Sequence, residues 1–436
     1  MLAQKEKGQQ NIESRGVMVG FDLGRYAVQI SFFRAGMNGP EVAEQITGSE
    51  VFNIPMVLCK RAGVNQWFYG REAIRHHQKE GGTLVDNLLQ KAIGNETVSI
   101  ENSEIEAIAL LTLFIKRSLS ILGGPAGRGG ITDIMFTCEE LSDRVIEVMS
   151  AVVSSLQLRN CVISFQSYAE SIYNYLINQE EELWKNPVVM SHYDGERVKN
   201  YVFRRNPRTV PIVAFVEECE EYEMEFPQII TENSKPAAYG RLDANYADYM
   251  SNFLGYDTYS SVYLLGDGFK DNWMDKSIKV LYHNRRLFVG NDIFSRGACY
   301  ALQGKYDPCE AATKHVFLGN DKLRSNIGLN VLRRGEKSYL ALLDAGLSWF
   351  EVSCEFELFL TEDFCLDFIV IPLDGSGQTE RKVELIGHPD RDVDTLRVSL
   401  QMSMLNVNTV KVHVEDLGFG DIYPSSGMTW DEVIEL

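Results

Sequence analysis

The stretch Met18-Val-Gly-Phe-Asp22-Leu-Gly24-Arg-Tyr-Ala-Val-Gln-Ile30 reads as a strand, a tight glycine turn and a second strand, with one carboxylate at the bend. A glycine there lets backbone N–H groups approach a ligand closely and cradle anionic oxygens, and Asp22 beside it can hold a hydrated divalent cation. The same residues also make an ordinary solvent-facing hairpin, and the segment alone does not separate the two readings.

Working outward, strand-like runs at residues 17–22, 27–33, 53–59 and 66–69 give way to helical periodicity at 70–77, 84–93 and 104–122. The glycine-rich stretch 123–130 lacks a following Gly-Lys-Ser/Thr and reads as a plain connection. Strand and helix then alternate: strand 131–137, helix 142–156, strand 160–165, helix 168–179, and strand 187–192 turning at Asp194-Gly195 into 198–204. This is α/β layering. The acidic run Val216-Glu-Glu-Cys-Glu-Glu-Tyr-Glu-Met-Glu-Phe226 reads as a solvated face, and Tyr246, Tyr249, Met250 and Phe253 in a helix over 244–254 read as core.

Beyond residue 318 the texture changes to seven short alternating runs, 327–332, 338–343, 349–358, 366–372, 381–386, 395–402 and 409–414, punctuated by turn signals at Arg334-Gly335, Asp374-Gly375 and Asn406. That pattern predicts an all-β domain.

The 436 residues carry a formal charge of −19, which disfavours nucleic acid and anionic membranes as partners. Eight scattered cysteines form no Cys-x-x-Cys pair, and the seven histidines show no zinc-ligand spacing. With a polar N-terminal segment and no long apolar run, the expectation is a cytoplasmic protein without membrane insertion.

The order of these elements resembles the superfamily of actin, hexokinase and heat-shock chaperone ATPases, and within it most closely the seventy-kilodalton heat-shock chaperones, as a divergent bacterial family of unassigned function. Gly20-Phe-Asp22-Leu-Gly24 is similar to the first phosphate hairpin, Ile54-Pro55-Met56-Val57 and Tyr69-Gly70-Arg-Glu-Ala to the next two segments, and Leu89-Gln-Lys91-Ala-Ile-Gly94 to the segment of the catalytic lysine. Residues 131–138 and 165–175 resemble the strand and connecting helix before the second phosphate hairpin. Ser261-Val-Tyr-Leu-Leu-Gly266-Asp-Gly268 resembles the adenosine-contacting turn, and 291–301 the closing helix, so the likeness covers roughly residues 17 to 305.

The resemblance implies an α/β actin-like ATPase fold of two ribonuclease-H-like lobes over 15–318, with a reduced lobe at about 215–258, after a disordered tail at 1–14. A chaperone-like β-sandwich at 319–436, without a helical lid, would follow. It also implies ATP or ADP with magnesium, bound by Asp22, Gly24, Arg25, Lys91, Asp194, Gly195, Gly266 and Gly268, with Asp22 on the metal, and a protein or peptide partner on the β domain.

The departures bear on mechanism. Arg25 and Tyr26 stand where the chaperones carry two hydroxyl residues, the second hairpin keeps one glycine of a triplet with His192 near the usual Asp, Ser167 replaces a carboxylate, with Glu170 one turn along, and Gln90 takes the position of the lysine. Each lost donor typically removes on the order of 3 kcal/mol of transition-state stabilisation, so ATPase activity is expected to be weak or absent. The leading expectation is a chaperone-like partner binder that uses nucleotide as a conformational ligand. Its alternatives are a pseudo-ATPase scaffold, with the cleft closed by side chains and Arg25 paired to a local acid, or a small-molecule kinase or filament former of the same superfamily.

Overall fold

The computed structural model describes residues 15–44, 52–101, 103–123, 130–158, 160–227, 232–290, 292–360, 363–373 and 377–436. The tail at 1–14 and most of the glycine-rich stretch 123–130 lie outside the described residues. The chain divides into Met1–Phe317 and Leu318–Leu436.

The first unit is built twice over. Its opening hairpin, β1 (Val17–Leu23) and β2 (Ala27–Phe33), is antiparallel, and β3 (Glu41–Val42) extends it past β2. On the other side β4 (Ile131–Cys138) runs parallel to β1, and β5 (Val162–Ser167) parallel to β4, giving the order β5-β4-β1-β2-β3. All seven residues of β1 are buried, which is why this central strand reads as nearly continuous apolar sequence.

The second sheet repeats the plan. An antiparallel hairpin, β6 (Val188–Tyr193) and β7 (Arg197–Asn206), is followed by β8 (Ile212–Glu218), while β9 (Ser261–Leu265) and β10 (Arg286–Val289) add in parallel beyond β6. The order is β10-β9-β6-β7-β8, closed at the far edge by β11 (His315–Phe317) parallel to β8.

The helices bind the two sheets together. α1 (Ala107–Leu119) and α2 (Asp143–Leu156) lie between β3 and β5 in sequence, and the Ser142 hydroxyl accepts from the Val145 N–H at 3.5 Å to cap α2. α3 (Tyr168–Ile177) follows the first sheet yet packs Ile172, Tyr173 and Leu176 in one core with Met190, Phe203 and Ala214 of the second. In the second half come α4 (Lys235–Leu254) and α5 (Asp275–Tyr282). α6 (Ile293–Tyr306), after the second sheet, returns to pack Ala298 and Leu302 against Met18, Phe33 and Met135 of the first. Glycines permit the closest approaches: a Cβ on Gly20 would sit 2.0 Å from the Ser295 carbonyl oxygen, and one on Gly297 2.1 Å from that of Ser171.

Several elements differ from the sequence expectation. The run 53–59 splits into short strands Ile54–Pro55 and Leu58–Lys60. The expected helix 84–93 is a strand, Thr83–Val85, followed by a helix over Leu88–Ile93, because Asn87 adopts a left-handed conformation at φ 50° between them. The helix expected from 104 starts at Ala107, since Ser103–Glu106 pairs with Thr97–Ile100. α4 begins nine residues before the expected 244, with Pro236 in its first turn, where its missing N–H costs nothing. Tyr246 and Met250 are fully buried, whereas Tyr249 and Phe253 sit at the rim of the same cluster.

Among the described residues the second unit holds eight strands in two antiparallel sheets. β12 (Ser325–Arg333), β13 (Glu336–Leu343), β15 (Cys365–Pro372) and β16 (Thr379–Glu384) form the sheet β13-β12-β15-β16. β14 (Ser353–Phe359), β17 (Arg397–Asn406), β18 (Thr409–Asp416) and β19 (Thr429–Glu435) form β14-β17-β18-β19. The eighth strand, β19, escapes a periodicity reading because Asp431 and Glu432 are adjacent, and only pairing with β18 makes it a strand. Trp349, expected to open a strand, instead sits in a short turn Trp349–Glu351. Among the described residues, no helix is long and apolar enough to cross a membrane.

Candidate functional site

The two hairpins of the first unit face one another across a cleft enclosing about 110 Å³, lined by Asp22, Gly24, Arg25, Glu139, Tyr168, His192, Asp194, Arg197, Gly266 and Asp267 among others. Ligand pockets for drug-sized molecules usually span roughly 300–1,000 Å³. The cleft is therefore small.

Asp22, next to the last residue of β1, has 9 % of its surface exposed, and its Oδ1 accepts a 2.7 Å hydrogen bond from the Tyr168 hydroxyl at the head of α3. Burial pushes its pKa up to about 7, against the lowering effect of that hydrogen bond. The Tyr168 ring stacks on Phe294 of α6 with centroids 3.7 Å apart, and His192 meets both rings edge-on. Burial depresses the His192 pKa below its usual value, against the raising effect of the neighbouring Asp194 and Glu139 carboxylates.

Contacts run directly between the lobes. In the first turn, the Tyr26 hydroxyl donates to Glu196 Oε2 at 2.8 Å, and the Arg25 guanidinium lies 3.9 Å from the same oxygen. Glu139, just past β4, is held by Arg197 at 3.0 Å and by Lys199 at 3.0 Å, both on β7. Burial acts to raise the Glu139 pKa, but Lys199 and Arg197 together bring it below the normal carboxylate value. Arg197 also pairs with Asp194 and Glu221, and Lys199 with Glu218, so part of the acidic run reaches back to bases on β7. From buried Gln29 outward, Gln29 donates to Asn53 at 3.0 Å and Asn53 donates to the exposed Asp267 at 2.7 Å, an amide relay from β2 to the turn after β9.

Of the residues singled out from sequence, Asp22, Gly24, Arg25, Asp194 and Gly266 line this cleft. Lys91, Gly195 and Gly268 are not among its lining residues. Lys91 lies 3.6 Å from Asp86, next to its own short helix. The bend of the second hairpin falls on Gly195 (φ 104°) and Glu196, one residue later than expected, because the Asp194 carboxylate accepts from the N–H groups of Glu196 and Arg197 at 2.9 Å each. Gly268 serves packing: a Cβ there would fall 2.2 Å from the Tyr193 ring. Gly266 has the same constraint, at φ 99° and 2.2 Å from the Tyr193 carbonyl oxygen. Ser167 caps α3, accepting from the Glu170 N–H at 3.3 Å.

Sequence reading did not find Glu139, Tyr168, Arg197, Gln29, Asn53 or Asp267. Only their convergence in space marks them. Among the described residues, no group of three or more His, Cys, Asp or Glu side chains is placed to hold a metal ion. A cation at Asp22 would have to compete with the Tyr168 hydroxyl.

The fold and cleft define a protein of two parts, a duplicated α/β unit with a polar cleft between its sheets and an all-antiparallel β unit. Residues 39–320 match the model described as Family of unknown function (DUF5716) C-terminal, and the chain belongs to that family. Residues 322–436 match the Domain of unknown function (DUF8552), so the two matches meet within a few residues of the structural division. No curated protein matches the chain.

Proposed function

We propose that this protein is a cytoplasmic pseudo-ATPase scaffold, an actin-like fold whose nucleotide cleft is closed by its own side chains, carrying a chaperone-like β-sandwich that engages a protein partner. In support of the fold, both sheets share one strand order, and α3 and α6 each pack on the sheet of the other half. The observation that carries the functional reading is the contact of Tyr26 and Arg25 with Glu196, which bridges the two hairpins across the cleft. The cleft lining holds Asp22, Glu139, Asp194 and Asp267 against Arg25 and Arg197, and Arg197 is committed to three acids. Polyphosphate would meet carboxylates rather than free donors. The acidic chain likewise disfavours nucleic acid.

The test is calorimetric titration with Mg-ATP and Mg-ADP. No heat at millimolar ligand is expected. Binding that Asp22→Ala abolishes would instead support a nucleotide-switched chaperone-like protein, the reading favoured by Gly266 lining the cleft beside Asp267.

A further inference from the structure

The second unit carries 21 Asp and Glu residues against ten Lys and Arg over 318–436. Its strand β14 lies at the end of the sheet β14-β17-β18-β19, and among the described residues no strand pairs with its outer side. Along β14 exposure alternates: Ser353, Glu355, Glu357 and Phe359 are exposed, while Cys354, Phe356 and Leu358 are half-buried. Glu355 receives only a 3.3 Å hydrogen bond from Gln401, and Glu357, with 67 % of its side chain exposed, lies 4.0 Å from Arg397.

At the end of the strand, Phe359 is 53 % exposed and meets Phe419 edge-on at 5.9 Å. Phe419 belongs to a loop fixed from beneath. The buried Asp416 carboxylate pairs with Arg391 and accepts from the Gly418 N–H at 2.9 Å, the Ser426 N–H at 2.8 Å and the Ser426 hydroxyl at 2.7 Å. The Phe419 N–H also closes on the Tyr423 carbonyl at 2.6 Å. An exposed aromatic pair held this firmly loses little conformational freedom when it is covered.

We propose that the outer edge of β14 binds an extended basic segment of a partner protein by strand addition, with Lys or Arg alternating with apolar residues and one apolar side chain on Phe359 and Phe419. This names the partner chemistry for the scaffold reading and rests on it only for the existence of a partner. Alternate residues of an added strand face opposite sides of the sheet. Its bases would therefore meet Glu355 and Glu357 while its apolar residues continue the side of Phe356 and Leu358. Charge selects this occupant over a second copy. Antiparallel self-pairing centred on Phe356 would set Glu355 directly opposite Glu357, and like charges in that position repel.

The experiment titrates the full chain with a fluorescein-labelled peptide alternating lysine and valine, a counterpart with glutamate for lysine, and a backbone N-methylated form of the first. Saturable binding of the lysine peptide is expected. It should be about tenfold weaker for the double variant Glu355→Lys with Glu357→Lys and several-fold weaker for the milder Glu357→Gln, and it should be lost on N-methylation. Equal affinity for the charge-reversed variant, retained binding of the N-methylated peptide, or no binding of the lysine peptide at millimolar concentration would each overturn the proposal. Nucleotide calorimetry reads the cleft alone, so a failure of the scaffold reading there is distinguishable from a failure of the strand edge here.

Discussion

Asp22 links burial to pH. Folded, it keeps its proton up to about pH 7, whereas the unperturbed carboxyl releases it near 3.8. Between those values the folded state binds more protons, so stability falls as pH rises through that window and levels off above it, by up to about 1.4 kcal/mol per pH unit. Asp22→Asn keeps an oxygen for the Tyr168 hydroxyl and removes the titration. Its denaturant midpoint should exceed that of the wild type clearly at pH 8 and little at pH 4, and a parallel pH dependence in both proteins would contradict the assignment. Asp416 has the opposite sign. Burial acts to raise its pKa, but the hydrogen bonds from Ser426 and Gly418 and the Arg391 charge bring it below 3.8. Its contribution is present above the unfolded value and is lost as pH falls through the lower folded one. Asp416→Asn leaves Arg391, only 4 % exposed, without its counter-charge, and should cost about 3–5 kcal/mol in chemical denaturation.

At the scale of elements, the crossing of α3 and α6 holds the two sheets together, and it depends on Gly297. A valine there has no room beside the Ser171 carbonyl and should destabilise by about 3 kcal/mol or more. Gly304, on the same helix with nothing within 4 Å of a Cβ, supplies the control, and Gly304→Ala should stabilise by about 0.5–1 kcal/mol. Similar losses from both substitutions would mean that the helix itself, not the close approach, is what matters. The element pattern was legible wherever periodicity was sustained: β1, β4 and α2 lie close to where their apolar spacing puts them. Boundaries failed where partners decide, as at Ser103–Glu106, whose strand exists only by pairing with Thr97–Ile100. The site was half legible for the same reason, since Asp22 and Gly24 share a local turn signal whereas Glu139 and Arg197 meet from elements 58 residues apart.

For the whole molecule, the scaffold reading expects proteolysis near residues 315–325, where the two units join, to proceed at one rate with and without Mg-ATP. A nucleotide-dependent rate would point instead to a population shift driven by ligand. Readable without any tertiary contact were the two-part division, the alternating α/β texture before residue 318 and the β texture after it, and an acidity that disfavours nucleic-acid partners. These follow from local periodicity and summed charge, which do not depend on what a residue touches. What spans the cleft follows from the fold: Tyr26 and Arg25 reach Glu196, Asn53 reaches Asp267, and Glu139 is gripped by Arg197 and Lys199. Each of those contacts joins residues far apart in sequence, and their geometry is set by how the two sheets pack around α3 and α6.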